Sequence, residues 1–425
     1  MTSAQNHPLP LSGNKIKLWL LALILVSACS PKVQPVGKTR PSQPAINTTA
    51  DKDKNSNNAN TKPAVKPQLG KISTVALLLP FSLDNLNSAK GYNAAELKSA
   101  NIAVDYYQGF RLALDSLTGQ GFNYKLQVFD TKDDAAATHG LSVNPAVNSS
   151  DLIVGPVFPN GIKTFIGKPQ KLKKPLLSPL APAAPEEFAD PKLITINPPL
   201  EYHAIAAARF VRNHIKPLKI FILSSGFSDD KKFATPFKMA IDTLSKRRIQ
   251  VIYTTISKGN LTPLRQHLNN KVENVFIVPS VNQQFLTTTL RSLDTLSRKF
   301  PVTTIGHPNW DKLTFLKADM LQRIKAHITS AERLNYRAAA TVHFIRSYRK
   351  VYNSEPSAYA YKGFDEGMYF GEVLALDGNE LEHLDQHHYK ALHNEFWFVK
   401  KPGLGWINTH VSVLKYTNFE LKQVE

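Results

Sequence analysis

The residues of this chain best placed for acid–base or metal chemistry are histidines and carboxylates at short spacings. His383, His387, His388 and His393 cluster near the C-terminus. His383 and His387 stand four apart, a spacing that puts two imidazoles on one helix face where a metal could be chelated. Glu380, Glu382 and Asp385 lie among them, but the sequence places no carboxylate set to complete the shell, and surface ion pairs account for these acids. Asp133 and Asp134 follow a β-rich run and could serve general acid–base work, although a strand-end position suits solvated charges. Gly161 to Lys168 comes near a phosphate loop, but Pro169 stands where Ser or Thr is needed and the spacing is wrong. No Gly-x-Ser-x-Gly turn occurs. These residues predict no enzyme, no metal and no cofactor.

The single cysteine points elsewhere. Lys15 and Lys17 precede the apolar run 18–26, and Val26-Ser27-Ala28-Cys29 follows it. A positive segment, a short apolar stretch, small residues and a cysteine form a bacterial lipoprotein signal, with Cys29 as the lipidated first mature residue. The run is too short to span ~30 Å of hydrocarbon at ~1.5 Å per residue. This places the protein in the cell envelope, held to a membrane by lipid. Ser30 offers no acidic retention signal, so the periplasmic face of the outer membrane is expected. With Cys29 acylated, no thiol remains for a disulfide, a nucleophile or a thiolate metal site.

Removing residues 1–28, which hold two lysines and no acid, lowers the formal charge from +19 to +17. Such a basic exported chain is drawn to acidic lipid headgroups, lipopolysaccharide phosphates or acidic wall polymers. The compartment argues against nucleic acid. Residues 29–70 are rich in Pro, Asn, Lys, Thr and Ser and poor in large apolar residues, the composition of a disordered tether. Residues 71–425 show regular apolar runs, enough for two lobes with separate cores.

Those runs alternate with helical patterns. Strands are expected at 75–80, 125–130, 151–156 and 174–179, with a helix around 104–117 whose Tyr107, Phe110, Leu114 and Leu117 recur at three- and four-residue steps. The rhythm repeats with strands at 218–223, 250–254, 272–278 and 302–306 and helices at 233–244 and 285–296. Apolar strands separated by helices imply parallel sheets covered on both faces. The fold class is therefore α/β, with two doubly wound parallel-sheet lobes and ligands beyond the strand C-termini.

The ordered succession Pro80, Tyr106-Tyr107-Gln108-Gly109-Phe110, Phe129-Asp130-Thr131, Val154-Gly155-Pro156 and Leu177-Ser178-Pro179 resembles the type I periplasmic binding fold. The branch it is similar to is that of the branched-chain amino acid (Leu/Ile/Val-binding) substrate-binding proteins of ABC transporters. Phe344-Ile345-Arg346-Ser347-Tyr348, Pro356 and Gly363-Phe364-Asp365 continue the pattern, and the resemblance covers about residues 72–425. It implies a ligand cleft between lobes joined by crossovers near Asn197 and Ser330. By this analogy lobe 1 is 71–196 plus 331–380, and lobe 2 is 197–330 plus 381–425. The alternating segment 396–416 is then a hairpin on the edge of the second lobe.

Strand-to-helix loops line clefts of this fold, which makes Phe81, Phe158, Asn160, Ser178 and Ala181 the candidates from the first lobe. From the second they are Tyr202, Ser225, Phe227, Ser280, Asn282, His307 and Trp310. Hydroxyls and helix N-terminal N–H groups suit an anionic group, and the aromatic rings suit an apolar one. Receptors of this branch place a serine after the Gly-Pro turn and a hydroxyl residue after the Ser-Pro strand, whereas this chain has Val157-Phe158-Pro159-Asn160 and Leu180-Ala181-Pro182.

Two functions follow from the resemblance. The first is a membrane-anchored solute-binding protein that holds an amino-acid- or amide-like molecule between its lobes and delivers it to a transporter permease. The alternative is a ligand-free binding-fold lipoprotein that regulates peptidoglycan synthesis by contact with a cell-wall synthesis protein, and the missing hydroxyls and long tether favour it.

Overall fold

The computed structural model describes residues 71–85, 94–167, 171–181, 184–377, 381–386 and 388–425. The expected signal, Cys29 and the tether lie outside the described residues, as do His387 and Glu380. The described residues all belong to one compact unit, 64–425, and none of their helices is long and apolar enough to cross a membrane.

The first series of strands is β1 (Ile72–Leu79), β2 (Asn123–Asp130), β3 (Leu152–Val154), β4 (Leu176–Ser178) and β5 (Leu193–Thr195). The second is β6 (Lys219–Ser224), β7 (Gln250–Thr255), β8 (Asn274–Val278), β9 (Val302–Gly306) and β10 (Ala326–Ser330). Both run in the same spatial order, with β5-β4-β3-β1-β2 in one sheet and β10-β9-β8-β6-β7 in the other, all parallel. The short strands β5 and β10, absent from the sequence reading, complete each set. Along β1, Val75, Leu77 and Leu79 bury into one core and Ala76 and Leu78 into another. Along β6, Phe221 and Leu223 oppose Ile220 and Ile222 in the same way. An alternation in which both faces are apolar marks a sheet covered on both sides.

Helix α1 (Ala94–Thr118) packs along α7 (Ala358–Asp377) over the first sheet. Its fully buried face is Ala103, Tyr106, Phe110 and Ala113, while Tyr107 sits half-buried beside it. The two helices touch backbone to backbone: a Cβ on Gly109 would lie 2.0 Å from the Ala360 carbonyl oxygen, and one on Gly363 would lie 2.1 Å from that of Tyr106. Between them come α2 (Pro159–Ile166), α3 (Leu200–Phe210), α4 (Lys231–Leu244), α5 (Gln283–Ser297) and α6 (Ala339–Tyr352). Helices α3 and α4 cover the second sheet with Ala204, Ala207, Phe233 and Phe237.

The C-terminal segment corrects the expected lobe boundaries. After a two-residue ladder, Tyr389–Lys390 (β11) with Glu395–Phe396 (β12), the chain forms β13 (Phe398–Lys401) and β14 (Gly405–Asn408). β14 pairs with β5, so this hairpin extends the first sheet, not the second. Only β15 (Ser412–Thr417) and β16 (Glu420–Gln423) join the second lobe, through β10. The cause is side-chain partition: Phe396, Phe398 and Trp406 bury in the first core, while Leu414 and Tyr416 bury in the second. One hairpin thus covers the β5 or β10 edge of each sheet, and a third crossover runs from Asn408 to Ser412.

Candidate functional site

Loops at the C-terminal ends of parallel strands splay apart before their helices begin, which leaves room for a ligand. Such loops from both sheets meet at the crossovers around a cleft of about 580 Å³. The first-lobe wall carries Val157, Phe158 and Pro159 after β3 and Leu180 and Ala181 after β4, with Ile102 and Tyr359 beside them. Gly155 makes this wall possible. It holds φ +90°, and a Cβ there would lie 2.2 Å from the Leu78 carbonyl oxygen. The chain can therefore turn tightly against β1 and carry Phe158 to the opening. Phe158 starts α2 without a side-chain cap, so the first N–H groups of that helix are left to solvent or a ligand.

The second-lobe wall is His203 from α3, with Pro308, Asn309, Asp311 and Lys312 after β9 and Thr329 at the end of β10. The crossovers supply Asn197 and the stretch from Ser330 to Leu334, and Lys362 and His393 close the floor.

That floor is a charged network. The Lys362 ammonium donates to Glu332 Oε1, and His393 Nε2 lies 3.9 Å from Glu332 Oε2. Burial works against ionisation of Glu332, but Lys362 and then His393 outweigh it and hold its carboxyl below the usual range. Asp365 lies beneath and accepts backbone N–H bonds from Leu392 (3.0 Å), His393 (2.8 Å) and Asn394 (2.9 Å). Burial pushes its carboxyl up to about 7 despite those donors. His203 Nδ1 meets Thr329 Oγ1 at 3.0 Å. Burial, reinforced by His307, pushes the His203 imidazole down to about 4, so it is neutral at pH 7. Lys312 makes no ion pair among the described residues and stands exposed at the rim. The cleft thus opposes an apolar shelf to a floor whose charges are mostly paired.

Of the residues named from sequence, Phe158 and Ala181 line the cleft and His307 adjoins it. His307 accepts from the Asn309 N–H at 3.1 Å, opening the turn that carries Lys312. Asn160 is exposed on α2. Phe81 packs edge-on to Tyr107, 6.3 Å between ring centres. Ser178 is buried within β4. Tyr202 lies under the Lys401 ammonium, 5.1 Å from its ring centre. Ser225 donates to Asp230 at 2.8 Å, and Phe227 is exposed to solvent. Asn282 caps α5 by accepting from the Phe285 N–H, and Ser280 accepts from the Asn282 N–H. Trp310 is core, its indole N–H donating to the Ser280 carbonyl at 3.0 Å. These groups build the lobes themselves, whereas His203, Lys312, Glu332 and Lys362, which no sequence motif marks, reach the cleft, as does His393, which the sequence suggests only as a member of a histidine cluster. The crossover at Ser330 was the one sequence signal pointing to Glu332.

Other residues of the histidine and carboxylate clusters have structural partners. Asp134 caps the helix Ala135–Ser142 by accepting from the Ala137 N–H at 2.7 Å. His388 stacks on Trp397 at 4.5 Å. Among the described residues no group of three or more His, Cys, Asp or Glu is arranged to hold a metal.

Two doubly wound lobes, three crossovers and a cleft at the strand C-termini define the type I periplasmic binding fold. Solved structures share it. One is an ABC transporter substrate-binding protein from Desulfitobacterium hafniense in complex with Leu, with 15% identity, TM-score 0.52 and coverage of 83% of this chain and 100% of that one. A protein of Rhodospirillum rubrum assigned to branched-chain amino acid ABC transport matches with 12% identity, TM-score 0.60 and the same coverage. The C-domain of LpoA from Haemophilus influenzae, a regulator of PBP1A, matches with 14% identity, TM-score 0.56 and again 83% and 100% coverage. No protein-family model and no curated protein matches the sequence. These neighbours are binding and regulatory proteins, as the sequence reading expected of this fold.

Proposed function

We propose that this chain is an extracytoplasmic solute-binding protein of an ABC-type uptake system, lipid-anchored through Cys29 in the cell envelope, and that it is not an enzyme. The observation that carries this reading is the cleft of about 580 Å³ lined from both lobes at the crossovers. A small amino-acid- or amide-like solute fits its chemistry. The apolar part rests on Phe158 and Leu180, the anionic end faces Lys312 and the uncapped start of α2, and an amine or amide N–H faces Glu332 Oε2. Hinge motion at the three crossovers then closes the lobes on it.

Calorimetric titration of the full chain with amino acids, their amides, short peptides and small carboxylic acids tests this reading. One chemical class should bind and raise the melting temperature, and Lys312→Ala should weaken that binding by about tenfold, the loss of one exposed charge-assisted contact. Absence of heat and of thermal shift with every class overturns it.

A second reading is favoured by Phe158 and Ala181, which stand on the cleft wall where amino-acid receptors of this branch carry hydroxyls. On this reading the protein binds no solute and regulates peptidoglycan synthesis by protein contact. Silence in the titrations together with saturable binding to a purified peptidoglycan synthase supports it over the first.

A further inference from the structure

We propose that the end of the second lobe remote from the cleft docks on an anionic lipid surface. Between Arg209 and Lys271 the chain holds thirteen basic and three acidic residues, and the topology gathers many of these cations in one place. In a parallel sheet every strand begins at the same edge, and here nearly every beginning is preceded by exposed cations. Lys216 stands before β6, Lys246, Arg247 and Arg248 before β7, and Lys271 before β8. Arg298 and Lys299 stand before β9.

None of these seven makes an ion pair among the described residues. The acids nearby are engaged elsewhere: Glu273 accepts from Lys325 and Thr303, Asp242 from Lys238, and Asp294 from Arg323, while Glu425 lies 3.6 Å from His214. Helix capping alone does not call for such a row. Lys216, Lys246 and Arg247 hold left-handed φ values of 52°, 51° and 57°, a conformation that disfavours any side chain and that glycine adopts freely. The equivalent turn of the first lobe, before β2, is Gly119-Gln120-Gly121-Phe122, with Gly121 at φ +100° and no charge. The turn before β3 ends in Asp151.

The shape of the row selects the partner. Strand beginnings about 4.8 Å apart across four strands spread charge over roughly 15 Å, which exceeds the screening length of about 8 Å in physiological salt. A small anion would meet only part of it, whereas a charged surface meets all of it. Leu218 and Leu244 stand exposed within the same row. Apolar side chains among lysines and arginines suit a headgroup layer better than a soluble polyanion. Docked in this way, the strand C-termini and the cleft point away from the bilayer.

The test is sedimentation of the full chain with vesicles of phosphatidylglycerol in phosphatidylcholine, against phosphatidylcholine alone. Every variant carries the same N-terminal segment, so differences report the substituted residues. K246E/R247E/R248E should reduce association with the anionic vesicles by about tenfold or more, on the scale expected for basic groups near an anionic surface. K171E/K173E/K174E, an equal charge change on the first lobe, should alter it by less than about twofold. The milder K216Q/K271Q should weaken binding in the same direction as the triple reversal, and unchanged circular-dichroism melting should show that each variant is folded. Equal losses from the two triple reversals, wild-type binding by the first, equal binding to phosphatidylcholine, or binding to soluble polyphosphate without binding to vesicles would each overturn the proposal.

Discussion

Lys362 of α7 and Glu332 of the second crossover form an ion pair on the cleft floor, with side chains only 10% and 29% exposed. The pair ties a helix of the first lobe to a segment that crosses between lobes, directly below the space where a ligand would sit.

Removing the lysine leaves a largely buried carboxylate without its partner. Lys362→Met should therefore destabilise the protein by about 2 kcal/mol, less than for a fully buried pair because Glu332 keeps some contact with water. Adding Glu332→Leu should restore most of that loss. Urea midpoints of the two variants check this, and an undiminished loss in the double variant would show that the lysine acts through packing instead.

Acid should weaken the fold in a defined window. His203, His307 and His327 are each pushed down to about 4 by burial, from 6.5. Between those values the unfolded chain takes up protons that the native state refuses, so stability falls as pH drops from 6.5 towards 4. Asp365, pushed up to about 7 from 3.8, acts oppositely, because the native state holds its proton first. Glu366, Asp311 and Asp133 are raised by burial as well, but His393 and His410 are lowered by it, and the five histidines leave a net loss on acidification. His327→Gln should reduce the slope of stability against pH by about one proton, measured by denaturation across pH 4.5–7.5.

Helix contact should discriminate between two glycines. Gly109→Ala drives a methyl group onto the Ala360 carbonyl and should cost about 2–3 kcal/mol by overpacking. Gly140, also helical, has no atom within 4 Å of a built Cβ, so Gly140→Ala should be neutral or stabilise by up to about 1 kcal/mol. Equal effects on the denaturation midpoint would contradict the close approach of α1 and α7.

The anchor is tested by acylation. Wild-type protein expressed in a bacterium should incorporate labelled palmitate and fractionate with membranes, and Cys29→Ala should abolish the label. Labelling that survives the substitution would remove Cys29 from the assignment.

Much of this architecture was legible in the chain. Apolar runs of strand length separated by helical periodicity imply two parallel sheets, because only a strand buried on both faces tolerates sequences such as Val75-Ala76-Leu77-Leu78-Leu79. Gly109, Gly155 and Gly363 stood out by their motifs, and the structure shows each where a backbone approaches too closely for a side chain. The cleft was far less legible, for a geometric reason. One residue along a helix turns a side chain by about 100°, so Tyr202 faces Lys401 while its neighbour His203 faces the cleft. In the turn after β9, Trp310 goes to the core and Lys312 to the rim.

The sequence by itself determined the fold class and the repeated lobe, since local periodicity and backbone sterics act over a few residues at a time. Only the tertiary structure decided which lobe receives each C-terminal hairpin, because that depends on which sheet edge buries Trp406 and which buries Tyr416. It also decided what floors the cleft. Glu332, Lys362 and His393 are some thirty residues apart from one to the next, and no local pattern records that folding brings their charges together.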